Sequence, residues 1–277
     1  MGAALAPLSL VQTLRFCRRL TAACLLAIGS AFCSARGEEV SLTSSHDTSL
    51  IEVAPNSNNG GQGWVLAGTT QNGTRNRGLF QWDFTGVIPP GATILSVDLA
   101  LAVTRVPDAS RVDSSFSLYR MLVPWGEGNK VAIENRGGQG APATAGEATW
   151  NDRLLGSASW GAPGGAPGVD FLANSSGSQY IYDVGRSPYH FTELVGDVQG
   201  WVNNPQSNFG WMLISDDETT PFTARRFGSR EEPFGNVPTL TIDYELVPEP
   251  GTFWLCGLGL AAFGIGRWRR IPKRWES

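Results

Sequence analysis

The stretch ILSVDLALAV, residues 94 to 103, places Leu95, Val97, Leu99, Leu101 and Val103 in one stripe, with Ser96, Asp98 and Ala100 opposite. A period of two belongs to a strand, whose successive side chains point to opposite faces of a sheet; a 3.6-residue helix cannot gather that stripe on one side. The same period recurs on either side. In LFQWDF, Phe80, Trp82 and Phe84 share a face against Gln81 and Asp83. In LTIDYEL, Leu240, Ile242, Tyr244 and Leu246 do so.

Shorter apolar runs fill the space between: TSLIEV, GWVLAG, FSLYRML, QYIYDV, FGWMLIS and TARRFGS. Turn-forming clusters separate them, among them NSNNGG, TQNGTRN and VIPPGA. Many short strands without intervening helices predict an all-β protein, an antiparallel β-sandwich rather than an α/β fold. One segment breaks the period. FTELVGDVQGWVNNP spaces Leu194, Val198, Trp201 and Val202 as on a helix and stops at Asn203-Asn204-Pro205, which predicts a short helix capping the sandwich. Residues from about Val131 to Ser178 are poor in β-branched side chains and read as one long excursion, with TWNDRLL and SASWGAP tucked onto the body.

The two ends differ from this body. Arg15, Arg18 and Arg19 precede LTAACLLAIGSAFCSA, a charged and then apolar order that predicts a signal peptide over residues 1–35, cut after Ala35. At the other end, residues 252–266 carry no charge, and Arg267, Arg269, Arg270, Lys273 and Arg274 follow at once. As a helix this run spans roughly 22 Å, short of a ~30 Å hydrocarbon core but within reach of a thin membrane with snorkelling arginines. Basic residues after an apolar span favour the cytoplasmic side. The expected layout is therefore signal peptide 1–35, body 36–247 and C-terminal segment 248–277, with a transmembrane helix at 252–266 and a basic tail at 267–277.

Composition narrows the chemistry. Cys17, Cys24, Cys33 and Cys256 all lie in the end segments, so the body holds neither disulfides nor thiol or zinc–cysteine sites. Only His46 and His190 occur, which excludes a multi-histidine metal centre. Between residues 36 and 247, 13 Lys+Arg face 23 Asp+Glu, a net charge of −10. Such a surface disfavours nucleic acid, whose binding depends on neutralising phosphates, and suits solubility, calcium or neutral glycans.

Several segments occur in an order that resembles the DNRLRE-type domain, a jelly-roll module related to carbohydrate-binding modules. They are TSLIEVAPNSNNGGQGWVLAG, RNRGLFQWDFTGVIPPGATILSVDLAL, VPWGEG, ATWNDR, SWGAPGG, DVQGWVNNPQSNFGWMLIS, FGSREEP and PTLTIDYEL, and they cover roughly residues 46–246. The DNRLRE string itself reads RNRGLFQWDF here. The resemblance implies a jelly roll more firmly than it implies a role. The C-terminal order of Val247, Pro248, Glu249 and Pro250, an apolar run and a basic end resembles the PEP-CTERM sorting signal. That likeness implies recognition of the motif by an exosortase-type membrane protease in a Gram-negative bacterium that makes extracellular polysaccharide, with the helix as a transient membrane anchor.

Candidate site residues fall into three groups. Trp64, Trp125, Trp150 and Trp160 are candidates for stacking on sugar rings, against a competing role in the core. Asp47, Asp216 and Asp217 are candidates for a structural calcium, which takes six to eight oxygens, although no D-x-D-x-D-G loop is present. Arg230 and Glu231 are expected to pair with buried polar groups and hold the last strands. A glycosidase needs two carboxyls about 5 to 10 Å apart, which spacing in sequence does not reveal; His190 with Tyr189 or Tyr182 is the one arrangement suited to a lyase. The reading is an exported, non-catalytic surface or matrix protein that binds or is embedded in extracellular polysaccharide and requires no cofactor. The alternatives are a purely structural or adhesive matrix protein and, third, a polysaccharide lyase or hydrolase.

Overall fold

Residues 37–132 and 138–246 are described by a computed structural model. The expected signal peptide, the Val247–Pro250 motif, the helix at 252–266 and the basic cluster Arg267–Arg274 lie outside the described residues. Among the described residues no helix is long and apolar enough to cross a membrane.

In chain order the elements are β1 Gly37–Thr43, β2 His46–Ile51, β3 Ser57–Asn58, β4 Trp64–Thr69, β5 Arg75–Gln81, β6 Thr93–Leu101, β7 Val103–Arg105, β8 Ser114–Arg120, β9 Ala141–Pro142, β10 Asp152–Leu154, β11 Ala158–Ser159, β12 Gly177–Ile181, β13 Tyr189–Phe191, α1 Val195–Asn203, β14 Trp211–Ser215, β15 Arg225–Gly228 and β16 Thr239–Glu245. One sheet has the order β1-β16-β6-β13. The larger sheet runs β12-β8-β14-β5-β4-β15-β7, and β2 also pairs with β5, off this path. Two short ladders, β3-β9 and β10-β11, belong to the excursion.

The inward faces of the two sheets share one apolar core. Val97, Leu99, Leu240, Ile242 and Tyr244 from the smaller sheet meet Phe80, Phe116, Leu118, Trp211, Leu213 and Phe227 from the larger. Each such side chain contributes about 1.5–3 kcal/mol by leaving water. The arrangement is the expected antiparallel β-sandwich. Helix α1 closes one end, as its spacing predicts: Leu194, Val198, Trp201 and Val202 join the core. The Trp211 indole donates to Asp197 Oδ2 at 2.7 Å, and Gln199 Oε1 accepts the Ile94 amide at 2.9 Å. Asn204 caps the helix, and Pro205 after it opens a separate 3-10 turn.

Three expectations need correction. Leu95 does not join the stripe of β6. Asp243 pairs with Ser96 and Tyr244 with Ile94, so Leu95 is the extra residue of a bulge. It is 50% exposed, and Ile94 takes the inward place at 5%. Leu246 lies beyond the end of β16 and is 40% exposed, so the LTIDYEL stripe stops at Tyr244. NSNNGG is more than a surface turn: Asn58 and Asn59 are fully buried and brace their neighbours through side-chain hydrogen bonds. β1 had no counterpart in the pattern, because GEEVSLT is largely polar and forms an edge strand.

The outward face of the larger sheet is also dry. Leu50, Leu79, Met212 and Ile214 point away from the main core and meet Met121, Trp125, Ala148, Trp150, Trp160 and Phe171. The excursion thus lies over this face and forms a second core. β14 is buried on both faces along its whole length.

Candidate functional site

Three segments far apart in sequence converge beside β2. Asp47 lies on β2, Glu127 in the PWGEG loop that leads into the excursion, and Glu231 in the SREE turn ahead of β16. One oxygen from each lies within 4.8 Å of the others. The PNSNNGG loop holds this junction together. Asn58 Nδ2 donates to Glu127 O at 2.7 Å and to Ala148 O at 2.9 Å, and Asn59 Oδ1 accepts the Ser49 amide at 2.9 Å. Gly60 passes so close to Glu127 O that a Cβ would sit 2.2 Å from it, so only glycine fits there.

Arg230 supplies the positive charge. Its Nε donates to Glu127 Oε1 at 2.7 Å and lies 2.8 Å from Glu231 Oε1. Its amide donates to Asp47 Oδ2 at 2.9 Å, beside Ser44 Oγ at 2.8 Å. Three carboxyls and one guanidinium leave excess negative charge in a buried place. Burial is the main reason the Asp47 carboxyl is raised from 3.8 to about 7, with Glu231 and Glu127 adding to the rise against its hydrogen bonds. Burial also raises Glu231, partly offset by Arg230; Glu231 Oε2 is buried without a hydrogen-bond partner.

A calcium ion would need six to eight oxygens. Here Arg230 Nε lies 2.7 Å from Glu127 Oε1 and 2.8 Å from Glu231 Oε1, so a guanidinium already neutralises part of the cluster. The trio also differs from the expected one. Asp216 and Asp217 do not belong to it. Asp217 Oδ1 instead caps its own turn, accepting from the Thr219 amide at 3.2 Å, the Thr219 hydroxyl at 2.8 Å and the Thr220 amide at 3.1 Å. Glu127 was missed as a partner, although PWGEG is a conspicuous turn between two tryptophan-bearing motifs. Arg230 pairs with polar groups at the junction, as expected of it, whereas the Glu231 carboxylate meets Arg230 and leaves Oε2 without a partner.

The tryptophans serve packing. Trp125, Trp150 and Trp160 are 9%, 4% and 6% exposed, which leaves no ring face for a pyranose. Trp125 Nε1 donates to Phe209 O at 2.8 Å and Trp160 Nε1 to Thr149 O at 2.9 Å. Trp150 has the guanidinium groups of Arg75 and Arg77 at 5.3 and 5.7 Å from its ring centre. Trp64 is half-buried beneath the Arg226 guanidinium, 4.1 Å from its ring centre. The stacking role expected of the three buried rings is therefore replaced by the second core.

The histidine–tyrosine arrangement is not assembled either. His190 faces solvent on β13 and pairs with Asp98 at 2.8 Å. Tyr189, its neighbour, points into the core, where its hydroxyl accepts the Tyr182 and Asp183 amides and donates to Asp183 O at 2.7 Å. Three surface hollows, of about 590, 390 and 420 Å³, each carry at most one carboxylate.

Residues 246–270 match the PEP-CTERM protein-sorting motif. The motif marks an exported protein sorted to the cell surface, and it implies processing by an exosortase, a membrane protease. The match begins one residue after β16, so it does not bear on the DNRLRE likeness of residues 46–246. No curated protein matches the chain.

Proposed function

We propose that this chain is a non-catalytic surface or matrix protein whose jelly-roll body is retained in extracellular polysaccharide after exosortase processing. The observation that carries the reading is the sorting motif joined directly to a closed β-sandwich. In keeping with this reading, Trp125, Trp150 and Trp160 are buried in packing. The acidic junction is a structural clamp that ties β2, the excursion and the turn before β16, and Arg230 neutralises part of its charge. The DNRLRE likeness agrees with a module carried by sorted surface proteins.

The test is fractionation of cells that produce the protein with its own exosortase system. The chain is expected in the extracellular polysaccharide fraction, released by polysaccharide-degrading enzymes but not by detergent. Release by detergent alone would leave it a membrane protein. Recovery in the matrix after the polysaccharide is digested would favour the purely structural alternative, which the packing role of the tryptophans also supports.

A further inference from the structure

Among the described residues, two large aromatic rings are exposed: Tyr180 at 44% and Phe234 at 86%. Phe234 stands alone in a turn. Tyr180 has a built surround. It lies on the edge strand β12, opposite Ser115 of β8, and Ser178 lies opposite Ser117. By strand alternation these four side chains share the outward face of the larger sheet, where Tyr180 and Ser178 are exposed and Ser117 is buried. The Ser117 and Ser178 hydroxyls bond at 2.6 Å. Tyr182 meets Tyr180 edge to face with ring centres 4.8 Å apart, and the Arg186 guanidinium lies 4.1 Å from the Tyr182 ring centre.

The support beneath this patch is rigid. Arg225 is fully buried. It donates to Tyr182 O at 2.9 Å, Val112 O at 2.9 Å and Asp113 Oδ1 at 3.0 Å. Asp113 and Asp183 are both occupied by Arg111, at 2.7 and 3.1 Å. Arg186, by contrast, is exposed and has no carboxylate at ion-pairing distance among the described residues. The patch therefore combines one open ring, the exposed Ser178 hydroxyl with the half-buried Ser115 beside it, and an exposed guanidinium stacked on Tyr182, while Ser117 is buried and supports Ser178.

We infer that the Tyr180–Tyr182–Arg186 edge is a contact site for a neutral pyranose polysaccharide. A tyrosine ring offers an apolar face to the C–H face of a sugar, and the neighbouring hydroxyls and guanidinium bond its hydroxyl groups. The charge of the body decides between neutral and anionic chains: a net −10 repels a polyanion beyond the reach of one arginine. This inference rests on the polysaccharide reading above and assigns it to residues other than the tryptophans that the sequence suggested.

The experiment is affinity electrophoresis of the detergent-solubilised full chain through gels holding a soluble β-glucan, a soluble mannan or polygalacturonate. The chain is expected to be retarded by a neutral polymer and not by polygalacturonate. Tyr180→Ala should weaken that retardation at least about fivefold and Arg186→Gln about threefold, whereas Tyr180→Phe, which keeps the ring, should bind as the parent does. An unchanged thermal midpoint of each variant confirms that the fold is intact. Neutral-polymer binding that survives Tyr180→Ala overturns this site and leaves the polysaccharide reading standing. Retardation by polygalacturonate alone overturns the choice of ligand and with it the site. Absence of retardation by any of the three overturns both the site and the reading.

Discussion

Gly37 and Glu245 face each other across the β1–β16 ladder, so the body begins and ends at one corner. Tyr244 ties the corner, its hydroxyl donating to Glu38 at 2.9 Å. The sorting motif therefore leaves the sandwich beside the first residue of its first strand.

β1 protects β16 as well as extending the sheet. Deleting residues 37–43 removes the whole ladder and bares an edge of β16, a template for pairing with another chain. The shortened protein is expected to elute as a dimer or larger species in size-exclusion chromatography and to unfold at a lower temperature. A monomeric deletion with the parent midpoint would contradict this.

Asp47 gives the acidic junction a defined pH response. Its folded-state value, about 7, lies above its ordinary 3.8. Between those values the folded protein holds a proton that the unfolded chain has released. Stability contributed by this group is present at low pH, falls as pH rises from about 4 to about 7, and then levels off. Asp47→Asn should leave the midpoint near pH 4 almost unchanged and raise it by about 5 °C at pH 8. Thermal scans of both proteins across that range measure the difference.

With Arg230 already paired to Glu127 and Glu231, the proposed clamp is expected to hold without metal. Addition of a chelator, or of millimolar calcium, is expected to move the thermal midpoint by less than about 1 °C. A calcium-dependent rise equivalent to several kcal/mol, as binding far above Kd would give, would put an ion among Asp47, Glu127 and Glu231.

The second core carries real stability. Trp150→Ala should cost about 3–5 kcal/mol and Met212→Ala about 2–5 kcal/mol, the range for truncating packed core side chains. Urea unfolding followed by tryptophan fluorescence reads both. A cost below about 1 kcal/mol for Trp150 would mean that the excursion rests on the sheet without packing into it.

Arg225 is expected to tolerate no replacement. Its guanidinium serves carbonyls of Tyr182, Val112, Thr223 and Ala224 together with Asp113. Arg225→Ala leaves those acceptors buried, at about 3–5 kcal/mol. Arg225→Lys should recover less than half of the loss in the same urea titration, since an ammonium cannot match the planar fork.

The sandwich was legible because its longest strands alternate cleanly: Phe80 and Trp82, Val97 and Leu99, Leu240 and Ile242 all sit where a period of two puts them. The helix from Val195 was legible for the same reason at a different period. The bulge at Leu95 was hidden, since an inserted residue between two apolar neighbours leaves the pattern locally satisfied in either register. The use of Trp125, Trp150 and Trp160 was ambiguous because a loop tryptophan reads alike whether it roofs a sheet or meets a ligand. Only the dry outer face of β14, with Met212 and Ile214, decides between them. Glu127 could not be matched to its partners from spacing, because Asp47 and Arg230 lie 80 and 103 residues away from it. Tyr180 was passed over because edge position is a property of the assembled sheet.

The place of β16 has a mechanical consequence. It is held along its full length by β1 on one side and β6 on the other. Tension applied to the end of β16 along its own axis would run parallel to both ladders and load their bonds together. A protein pulled from that corner while its other surfaces are gripped would resist as a clamp in shear, with yielding confined to a single cooperative event.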